Sequence, residues 1–262
     1  MGILDRFRLD GRIAIVTGAS RGIGGGIAVA LAEAGASVVL VGRDESTLRQ
    51  QAERIGRLGA ASLIVAADMS DITACPEVVE RAVARFGSLD ILVNAAGTIV
   101  RKPILESTPD DFDRVIDLNL RAVYFMSQAA ARAMIAARRA DALRPRAKII
   151  NIASLTSQIA YQNIVSYGGS RTGVLGLTRG MAVEWREHIG VNALAPGYIR
   201  TGQTATLFDD PDWVVRILSR IPMGRTGEVD DVVGTAVLFA SSASDYITGQ
   251  IVYLDGGWLA AG

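Results

Sequence analysis

The chain of 262 residues contains one cysteine, Cys75, one histidine, His188, and only two lysines, Lys102 and Lys148. A single cysteine excludes an internal disulfide, and so few cysteines and histidines leave no ligand set with the spacing of a metal site. No run of about 18 apolar residues is present to span a membrane, and the initial segment MGILDRFRLDGR lacks the apolar middle region of a signal peptide. We therefore expect a cytoplasmic protein without a metal, in which arginine supplies nearly all of the positive charge.

The charged residues are balanced, with 27 Lys and Arg against 27 Asp and Glu. Such a balance provides no bulk attraction to nucleic acid or to an anionic membrane surface, which argues against both as partners. Hydrophobic residues make up 50% and charged residues 21% of the chain. These fractions are typical of a folded protein with a substantial core.

Short apolar segments alternate with segments of helical character along the chain. The predicted strands are 13–17, 37–41, 62–66, 91–94, 148–153, 191–195 and 251–254. The predicted helices are 22–34, 45–58, 76–86, from the Thr108 cap to about 140, 165–188, 204–221 and 229–240. This alternation predicts an α/β fold, a doubly wound, Rossmann-like parallel sheet of seven strands with helices on both faces. No Pro- or Ser-rich linker interrupts residues 1–262, so we expect one domain.

A glycine-rich stretch, Thr17-Gly-Ala-Ser-Arg-Gly-Ile-Gly24, follows the first predicted strand. Open parallel sheets bind ligands at the carboxyl ends of their strands, and glycines let the backbone approach a pyrophosphate at a helix N-terminus. The Gly-x3-Gly-x-Gly spacing departs from the G-x-G-x-x-G dinucleotide fingerprint, and three glycines after a strand also occur in an ordinary turn. The strand-turn-helix context favours a nucleotide-binding loop.

The residues after the second strand bear on the choice of nucleotide. An acid there binds the 2′-hydroxyl of NAD, whereas an arginine suits the 2′-phosphate of NADP. The chain has Arg43 at this place, and Arg21 lies inside the glycine loop. Two guanidiniums at one corner favour NADP(H), although both could be solvated loop residues in an arginine-rich protein. Because Asp44 follows immediately, NAD(H) stays possible.

Three polar residues between positions 154 and 171 suggest an acid–base site. An apolar strand ends at Ser154, and Tyr167 and Arg171 are four residues apart on a predicted helix, so they share one face. A cation near a phenol favours the phenolate, as a tyrosine needs for proton transfer near neutral pH. A hydroxyl cap, a core tyrosine and a surface arginine would, however, give the same pattern.

Several segments together resemble the short-chain dehydrogenase/reductase family over essentially the whole chain. They are TGASRGIG at 17–24, Asp68, NAAG at 94–97, Asn119 in DLNL, Ser154, Tyr167, PGYIRT at 196–201 and DGGW at 255–258. FMSQAAARAMIA, KIINIAS, ALAPGY and SSASDYITGQIVYLDGGW are most similar to the family's sugar-acid and polyol dehydrogenases, such as 2-deoxy-gluconate 3-dehydrogenases and gluconate 5-dehydrogenases. The resemblance implies hydride transfer between NADP(H) and a carbonyl or alcohol of a small polar substrate, by a homotetramer or homodimer.

The resemblance also implies a set of cofactor contacts. They are Gly18, Ser20, Arg21, Gly22, Ile23, Gly24, Arg43, Asp68, Met69, Asn94, Ala95, Gly97, Tyr167, Arg171, Pro196, Gly197, Ile199 and Thr201. The three glycines of the loop would hold the pyrophosphate, and Asp68 would hold the adenine amino group. Asn94 would support the fourth strand, while Ile199 and Thr201 would hold the nicotinamide carboxamide. Residues from about 202 to 223 would form a lid over the substrate.

By the same resemblance the catalytic residues are Asn119, Ser154, Tyr167 and Arg171. Ser154 would bind the substrate oxygen, and Tyr167 would protonate it during reduction or deprotonate it during oxidation. Asn119 would kink its helix and hold a water in the proton relay. Arg171 stands where the family has a lysine that grips the nicotinamide ribose and lowers the pKa of the tyrosine.

The arginine at position 171 is the main departure from the family. It keeps the charge and offers more donors, but it is bulkier, planar and never deprotonated, so it cannot release a proton to the relay. Three functions therefore stay open. The protein is an active NADP(H)-dependent oxidoreductase, or a nucleotide-binding protein with crippled catalysis that serves as a sensor or assembly subunit, or it carries out unusual chemistry on the same scaffold.

The segment between Ser154 and Tyr167 is rich in polar side chains, namely Thr156, Gln158, Tyr161, Gln162 and Asn163. This set could bind a polyhydroxylated substrate, and Arg101, in the loop after the fourth strand, could meet a carboxylate. Solvated loop residues are the alternative interpretation.

Overall fold

The computed structural model describes residues 2–202 and 204–261. The strands are β1 (Ile13–Thr17), β2 (Ser37–Gly42), β3 (Ser62–Ala66), β4 (Ile91–Asn94), β5 (Ala147–Ile152), β6 (Ile189–Pro196) and β7 (Ile251–Leu254). The helices are α1 (Gly22–Glu33), α2 (Glu45–Arg57), α3 (Ala74–Phe86), α4 (Pro109–Ile116), α5 (Ala122–Ala140), α6 (Val165–Glu184), α7 (Pro211–Leu218) and α8 (Asp230–Ala240). Gln203, which falls in the predicted lid, lies outside the described residues.

All seven strands pair in parallel, in the order β3-β2-β1-β4-β5-β6-β7. The strand order reverses between β1 and β4, because the chain adds strands first on one side of β1 and then on the other. Thr17 at the end of β1 lies opposite Val41 of β2 and Asn94 of β4. The loops that follow β1 and β4 turn to opposite sides of the sheet at this point, which opens a crevice above their carboxyl ends. The predicted doubly wound, seven-stranded α/β fold is confirmed.

The core lies on both faces of the sheet, because helices cover each side of a parallel sheet. Side chains of β1 alternate between the faces: Ile15 packs into the cluster that includes α3 and α5, and Val16 into the one that includes α1 and α8. Cys75 is buried in the first of these clusters as a free thiol. The two-residue alternation within each strand therefore builds both cores at once.

The helix predicted to run from Thr108 to about Ala140 is continuous but not uniform. Thr108 and Asp111 form a reciprocal capping box at its start, in which the side chain of each accepts from the backbone N–H of the other. Between α4 and α5, residues 117–121 form a π-helical turn that contains Asn119. Such turns carry one extra residue and often occur at functional sites.

Two predicted helix boundaries are wrong. The helix predicted over 165–188 ends at Glu184 rather than His188, because the chain is already entering β6, whose first residue Ile189 pairs with Ala147. The segment predicted as one helix over 204–221 contains a short 3-10 helix, Ala205–Asp209, followed by α7. Pro211 disfavours helical geometry in the residue before it, and Asp210 instead caps α7.

An ion pair closes the amino edge of the sheet, at the opposite end from the crevice. Lys148 at the start of β5 is 1% exposed, and its Nζ lies 2.8 Å from Asp245 Oδ1 and 3.1 Å from Ser244 Oγ. Burial lowers the pKa of Lys148, and the Asp245 carboxylate acts in the opposite direction. This lysine is thus a structural group on the far edge, and it cannot replace the lysine that position 171 lacks.

A chain of buried polar side chains ties the middle of the sheet to two helices. Asn94 Nδ2 donates to Ser127 Oγ and to Asn151 Oδ1, both at 2.9 Å, and Asn151 Nδ2 donates to Thr178 Oγ1 at 3.0 Å. All four side chains are buried. Because a buried amide is stable only when it is hydrogen-bonded, the chain fixes β4 and β5 against α5 and α6.

We expect Asn151→Ala to lower the free energy of unfolding by about 2–3 kcal/mol, because it leaves buried groups of Asn94 and Thr178 without their partner. Urea denaturation followed by circular dichroism measures the change. The control Gln50→Ala removes an exposed amide from α2 and should alter stability by less than about 0.5 kcal/mol. Equal effects of the two substitutions would contradict the structural role of the buried chain.

Candidate active site

The glycine loop joins the end of β1 to the start of α1. Gly18 has a φ of +66°, and a Cβ there would lie 2.8 Å from the backbone of Ala96, so no larger residue fits. Gly24 packs so closely beneath the Gly18 carbonyl that a side chain would overlap it. Arg21, at the N-cap of α1, makes no side-chain cap, which leaves the first-turn N–H groups available to an anion. The loop therefore fits a pyrophosphate.

Two other segments hold and face this loop. The Gln51 side chain of α2 donates to the carbonyl of Ser20 at 3.2 Å, and Ile23 packs against the core cluster that includes α1 and α8. On the other side, a Cβ on Gly22 would lie 3.6 Å from the Thr201 side chain. The glycine loop and the segment after β6 thus lie next to each other.

Arg43 and Asp68 meet at the ends of β2 and β3. Arg43 Nη1 lies 3.8 Å from Asp68 Oδ2, and both side chains are substantially exposed. Burial raises the pKa of Asp68, but the hydrogen bonds from Ser70 and the charge of Arg43 outweigh it, and the net shift is downward. The neighbouring Met69 side chain is buried in the core, so only its backbone can contact a cofactor. Arg21 is exposed nearby in the glycine loop.

Asp44, the acid next to Arg43, is committed to local structure. It caps α2 by accepting bonds from Ser46 N at 3.0 Å and Ser46 Oγ at 2.7 Å. The hydrogen bond from the Ser46 hydroxyl lowers the pKa of Asp44, which keeps the cap ionised. A carboxylate used in this way is poorly placed for a ribose hydroxyl, and the exposed Arg43 is the available group at this corner.

The loop after β4, Asn94-Ala-Ala-Gly97, is anchored to β1. Thr17 Oγ1 accepts from Ala95 N at 3.1 Å and from Ala96 N at 3.2 Å. Asn94 itself is turned into the core through its bonds to Ser127 and Asn151. Among these residues, Ala95 packs against Gly18 and Gly24 of the glycine loop, and Gly97 lies against the side chain of Arg171.

Arg171 is buried, 5% exposed, so the interpretation as a surface arginine is wrong. Its Nη1 donates to the carbonyl of Ile152, the last residue of β5, at 2.7 Å. Its Nη2 occupies the space that a side chain on Gly97 would need, and the Nε is buried without a hydrogen-bond partner among the described residues. The glycine at position 97 therefore makes room for the guanidinium.

Tyr167 and Asn119 are linked to this arginine. The Arg171 Cζ lies 5.2 Å from the centroid of the Tyr167 ring. Asn119, fully buried, donates to Thr98 O at 2.9 Å and Ser170 Oγ at 3.1 Å, and accepts from Thr98 N at 2.8 Å. Ser170 Oγ in turn donates to the Tyr167 carbonyl at 2.7 Å. The π-helical turn thereby connects the loop after β4 to the helix that carries tyrosine and arginine.

Ser154 follows β5 and is 8% exposed. Its hydroxyl caps a short 3-10 helix, Leu155–Ser157, by accepting from Thr156 N at 3.2 Å. The hydroxyl cap considered from the sequence is therefore present. It uses an acceptor lone pair and leaves the O–H donor of Ser154 for another oxygen.

The segment after β6 packs against the C-terminal DGGW motif. Gly197 N donates to Leu254 O at 2.9 Å, and a Cβ on Gly197 would lie 2.9 Å from the Asp255 backbone. Pro196 ends β6, and Ile199 is buried. Thr204 then closes a tight turn, because its hydroxyl donates to Ile199 O at 2.7 Å and accepts from Thr201 N at 3.0 Å.

Residues 2–202 and 204–261 contain neither a metal-binding cluster nor a membrane-spanning helix. No group of three or more His, Cys, Asp or Glu side chains there could hold a metal ion. No helix in the same residues is long and apolar enough to cross a membrane.

Several residues that support the site were not among the predicted site residues. Thr17, Gln51 and Ser170 are hydrogen-bonded to Ala95, Ser20 and Asn119, and Asn151 links Asn94 to Thr178. Thr17, Asn151 and Thr178 are single polar residues inside or beside apolar runs. A polar residue in the middle of a predicted buried element is the one signal that could have found them.

The fold and the site together define a nucleotide-binding α/β protein with serine, tyrosine and a buried cation at the carboxyl edge of its sheet. A family model described as Enoyl-(Acyl carrier protein) reductase matches residues 18–259. The chain belongs to the short-chain dehydrogenase/reductase family.

Its relatives cover the chain almost end to end. It is 46% identical over 259 residues to the 2-dehydro-3-deoxy-D-gluconate 5-dehydrogenase of Escherichia coli K12, covering 98% of this chain and 99% of that one. It is 39% identical over 254 residues to the gluconate 5-dehydrogenase of Gluconobacter oxydans, covering 97% and 96%. The crystal structure of a gluconate 5-dehydrogenase from Burkholderia cenocepacia, in complex with NADP and tartrate, superposes with a TM-score of 0.93 at 40% identity, covering 100% of both chains.

We expect Arg43→Gln to raise the Kd for NADPH about 10- to 100-fold, the size of a lost charge-assisted hydrogen bond. Because NADH has no 2′-phosphate, its Kd should change less than about twofold. Fluorescence titration of each cofactor measures both. Arg49→Gln removes an exposed arginine that pairs with Glu45 on α2 and is the control. An equal rise in the Kd values for NADPH and NADH would show that Arg43 does not bind the 2′-phosphate.

Proposed function

We propose that the protein is an NADP(H)-dependent oxidoreductase that transfers a hydride between nicotinamide and a carbonyl or alcohol carbon of a sugar acid or related polyol. The observation that carries the proposal is the buried Arg171, which contacts the Tyr167 ring and donates to the carbonyl of Ile152, two residues before Ser154. The relatives from E. coli and G. oxydans are named for sugar acids, and the B. cenocepacia structure contains NADP, which supports both substrate class and cofactor.

NADP(H), when bound, supplies or accepts the hydride, and the residues of the chain hold the substrate oxygen and move the proton. We assign binding of that oxygen to the free O–H donor of Ser154. The Tyr167 hydroxyl would protonate the oxygen in reduction and deprotonate it in oxidation. The glycine loop, Arg43 and Asp68 would hold the phosphate and adenosine parts, with Pro196, Gly197, Ile199 and Thr201 beside the nicotinamide.

Arg171 would serve the site as a fixed positive charge. Its buried guanidinium lies over the Tyr167 ring and keeps a positive charge next to the residue that would move the proton. The unpartnered Nε is a buried donor that fits a hydroxyl such as those of the nicotinamide ribose. The proton relay would bypass Arg171, because a guanidinium does not release its proton.

Asn119 would contribute through its backbone. Its side-chain donors and acceptor are already bonded to Thr98 and Ser170. A relay water at this place would therefore bind the backbone of the π-helical turn, where the regular helical hydrogen bonds are interrupted.

The lid over the substrate is part of the same proposal. Ile217 of α7 and Ile221 pack against Leu155, the neighbour of Ser154. Trp213 of α7 lies edge-to-face against Tyr198, with ring centroids 5.3 Å apart. These contacts support a role for residues 202–223 in covering the substrate beside the catalytic serine.

The nucleotide sensor with crippled catalysis is not favoured. Its one supporting feature was a poor fit of arginine at position 171, whereas the guanidinium has a hydrogen-bonded place beside Gly97 and Ile152. The relatives are named as oxidoreductases.

Assembly into a homotetramer or homodimer, in the cytoplasm, completes the proposal. A groove between α5 and α6 is lined by Tyr124, Ile135, Met181 and Trp185, which would suit a second copy of the chain. Cys75, the single cysteine, is a free thiol, as is usual in a reducing compartment.

We expect Tyr167→Phe to lower kcat/KM by about a thousandfold, because the ring stays while the proton donor is lost. NADPH oxidation with 5-keto-D-gluconate, followed at 340 nm, measures it. Tyr246→Phe, at a fully exposed tyrosine, is the control. An active Tyr167→Phe enzyme would exclude the mechanism.

We expect Arg171→Lys to lower kcat by about tenfold rather than raise it, because an ammonium cannot both reach the Ile152 carbonyl and fill the guanidinium site. Arg179→Lys, at an exposed position on the same helix, should leave kcat unchanged. A large gain in turnover on restoring lysine would instead support the crippled-catalysis alternative.

A further inference from the structure

A wall of aromatic side chains stands beside the catalytic serine. The Tyr198 ring lies 6.2 Å from Tyr161 and 5.4 Å from Trp258, centroid to centroid. Trp258 belongs to the same buried cluster as Leu155, which follows Ser154 directly. The wall thus joins three separate segments, the loop after β5, the loop after β6 and the C-terminal DGGW motif, at the substrate side of the site.

The wall contains a polar group without a partner. Tyr161 Oη is buried and makes no hydrogen bond of acceptable geometry with any described residue, although the Tyr198 phenol is its neighbour. Thr156 Oγ1, on the same loop, is likewise buried and unpartnered. Because burying a hydroxyl without a partner is costly, a cluster of such groups beside a catalytic residue indicates a place where a ligand supplies the missing acceptor.

A cation adjoins the same wall. The Arg220 Cζ lies 4.7 Å from the centroid of the Trp258 ring, and Arg220 is exposed at the end of α7, within the proposed lid. None of the ion pairs found among residues 2–202 and 204–261 includes Arg220. Arg220 is therefore a guanidinium stacked on an aromatic ring with its charge available to an anion.

The electrostatics of the phenols agree with an anion site. Burial raises the pKa of Tyr198, and the adjacent Tyr161 adds to the rise, while the charges of Arg220 and Arg101 act in the opposite direction. Burial likewise raises the pKa of Tyr161, again against Arg220. Both phenols are protonated at neutral pH and can donate hydrogen bonds, Tyr198 in the field of Arg220 and Arg101 and Tyr161 in that of Arg220. Arg101 is the residue that the sequence singled out for a carboxylate.

We propose that the hydroxyls of Tyr161 and Tyr198 and the guanidinium of Arg220 form the subsite that binds the carboxylate of the substrate. A carboxylate accepts several hydrogen bonds at once and would satisfy both the unpartnered hydroxyl and the unpaired cation, which a hydroxymethyl group would not. The inference rests on the proposed function and deepens it, because it names the residues that distinguish a sugar acid from a polyol. A bound substrate would then contact both the loop after β5, through Tyr161, and the proposed lid, through Arg220.

The test compares D-gluconate with D-sorbitol, which has a hydroxymethyl group in place of the carboxylate. We expect Arg220→Gln to raise the KM for D-gluconate about tenfold or more, the effect of losing a charge-assisted hydrogen bond, with kcat nearly unchanged. Oxidation of D-sorbitol should change by less than about twofold, because it offers no charge to Arg220. Tyr161→Phe should likewise raise the KM for D-gluconate and leave that for D-sorbitol unchanged. Arg220→Lys should raise the KM for D-gluconate less than Arg220→Gln does.

The matched control is Arg216→Gln, which removes the same charge from an exposed position on α7 and should leave both substrates unaffected. If Arg220→Gln raises the KM for D-gluconate and for D-sorbitol equally, the arginine acts on the lid and not on the carboxylate, and the inference is wrong.

A binding measurement separates this inference from the proposed function. Calorimetric titration of D-gluconate into the NADPH complex, where the pair cannot react, reports on the subsite even if no turnover is found with either substrate. Loss of that binding in Arg220→Gln supports the subsite. Unchanged binding in the variant, or no binding to the unmodified protein, overturns it, whereas absent turnover alone overturns only the proposed function.

Discussion

The hydrogen bond between Asn94 and Asn151 is the constraint on which the site depends. The two buried amides face each other across β4 and β5, so the register of the two strands cannot slip without breaking this hydrogen bond. These strands lead directly to Gly97 and Ser154. This register places the ends of β4 and β5 so that Arg171 bonds to the Ile152 carbonyl while its other nitrogen fills the space beside Gly97.

Local patterns in the sequence were sufficient for the fold. Apolar runs and glycine positions identify all seven strands and the loop at Gly18, because these signals lie within a few neighbouring residues. The supporting groups could not be found in that way. Thr17, Gln51 and Thr178 acquire partners only when distant segments pack together, and the carboxylate subsite draws Tyr161, Tyr198 and Arg220 from three loops. The π-helical turn at Asn119 and the early end of α6 are tertiary effects as well.

Arginine at position 171 illustrates the same limit. Compared residue for residue, it is a poor substitute for lysine, since it is wider and planar. In the folded protein its planarity is useful, because one nitrogen bonds to a strand end while another lies against a glycine. The side chain thus joins the ends of β4 and β5 to the helix that carries Tyr167, which a single ammonium would do with fewer contacts.

The ion pair at the opposite edge has a consequence for how the chain is made. Lys148 and Asp245 are 97 residues apart, so the ribosome exposes the lysine long before its carboxylate is synthesised. An ammonium without a partner resists burial, and the half of the sheet from β5 to β7 cannot close around it until the last residues have emerged. The buried cation before β1, Arg12, has its carboxylate at Asp90, which is synthesised much earlier than Asp245. Translation therefore delivers the nucleotide-binding half ready to fold and withholds the substrate half until the end.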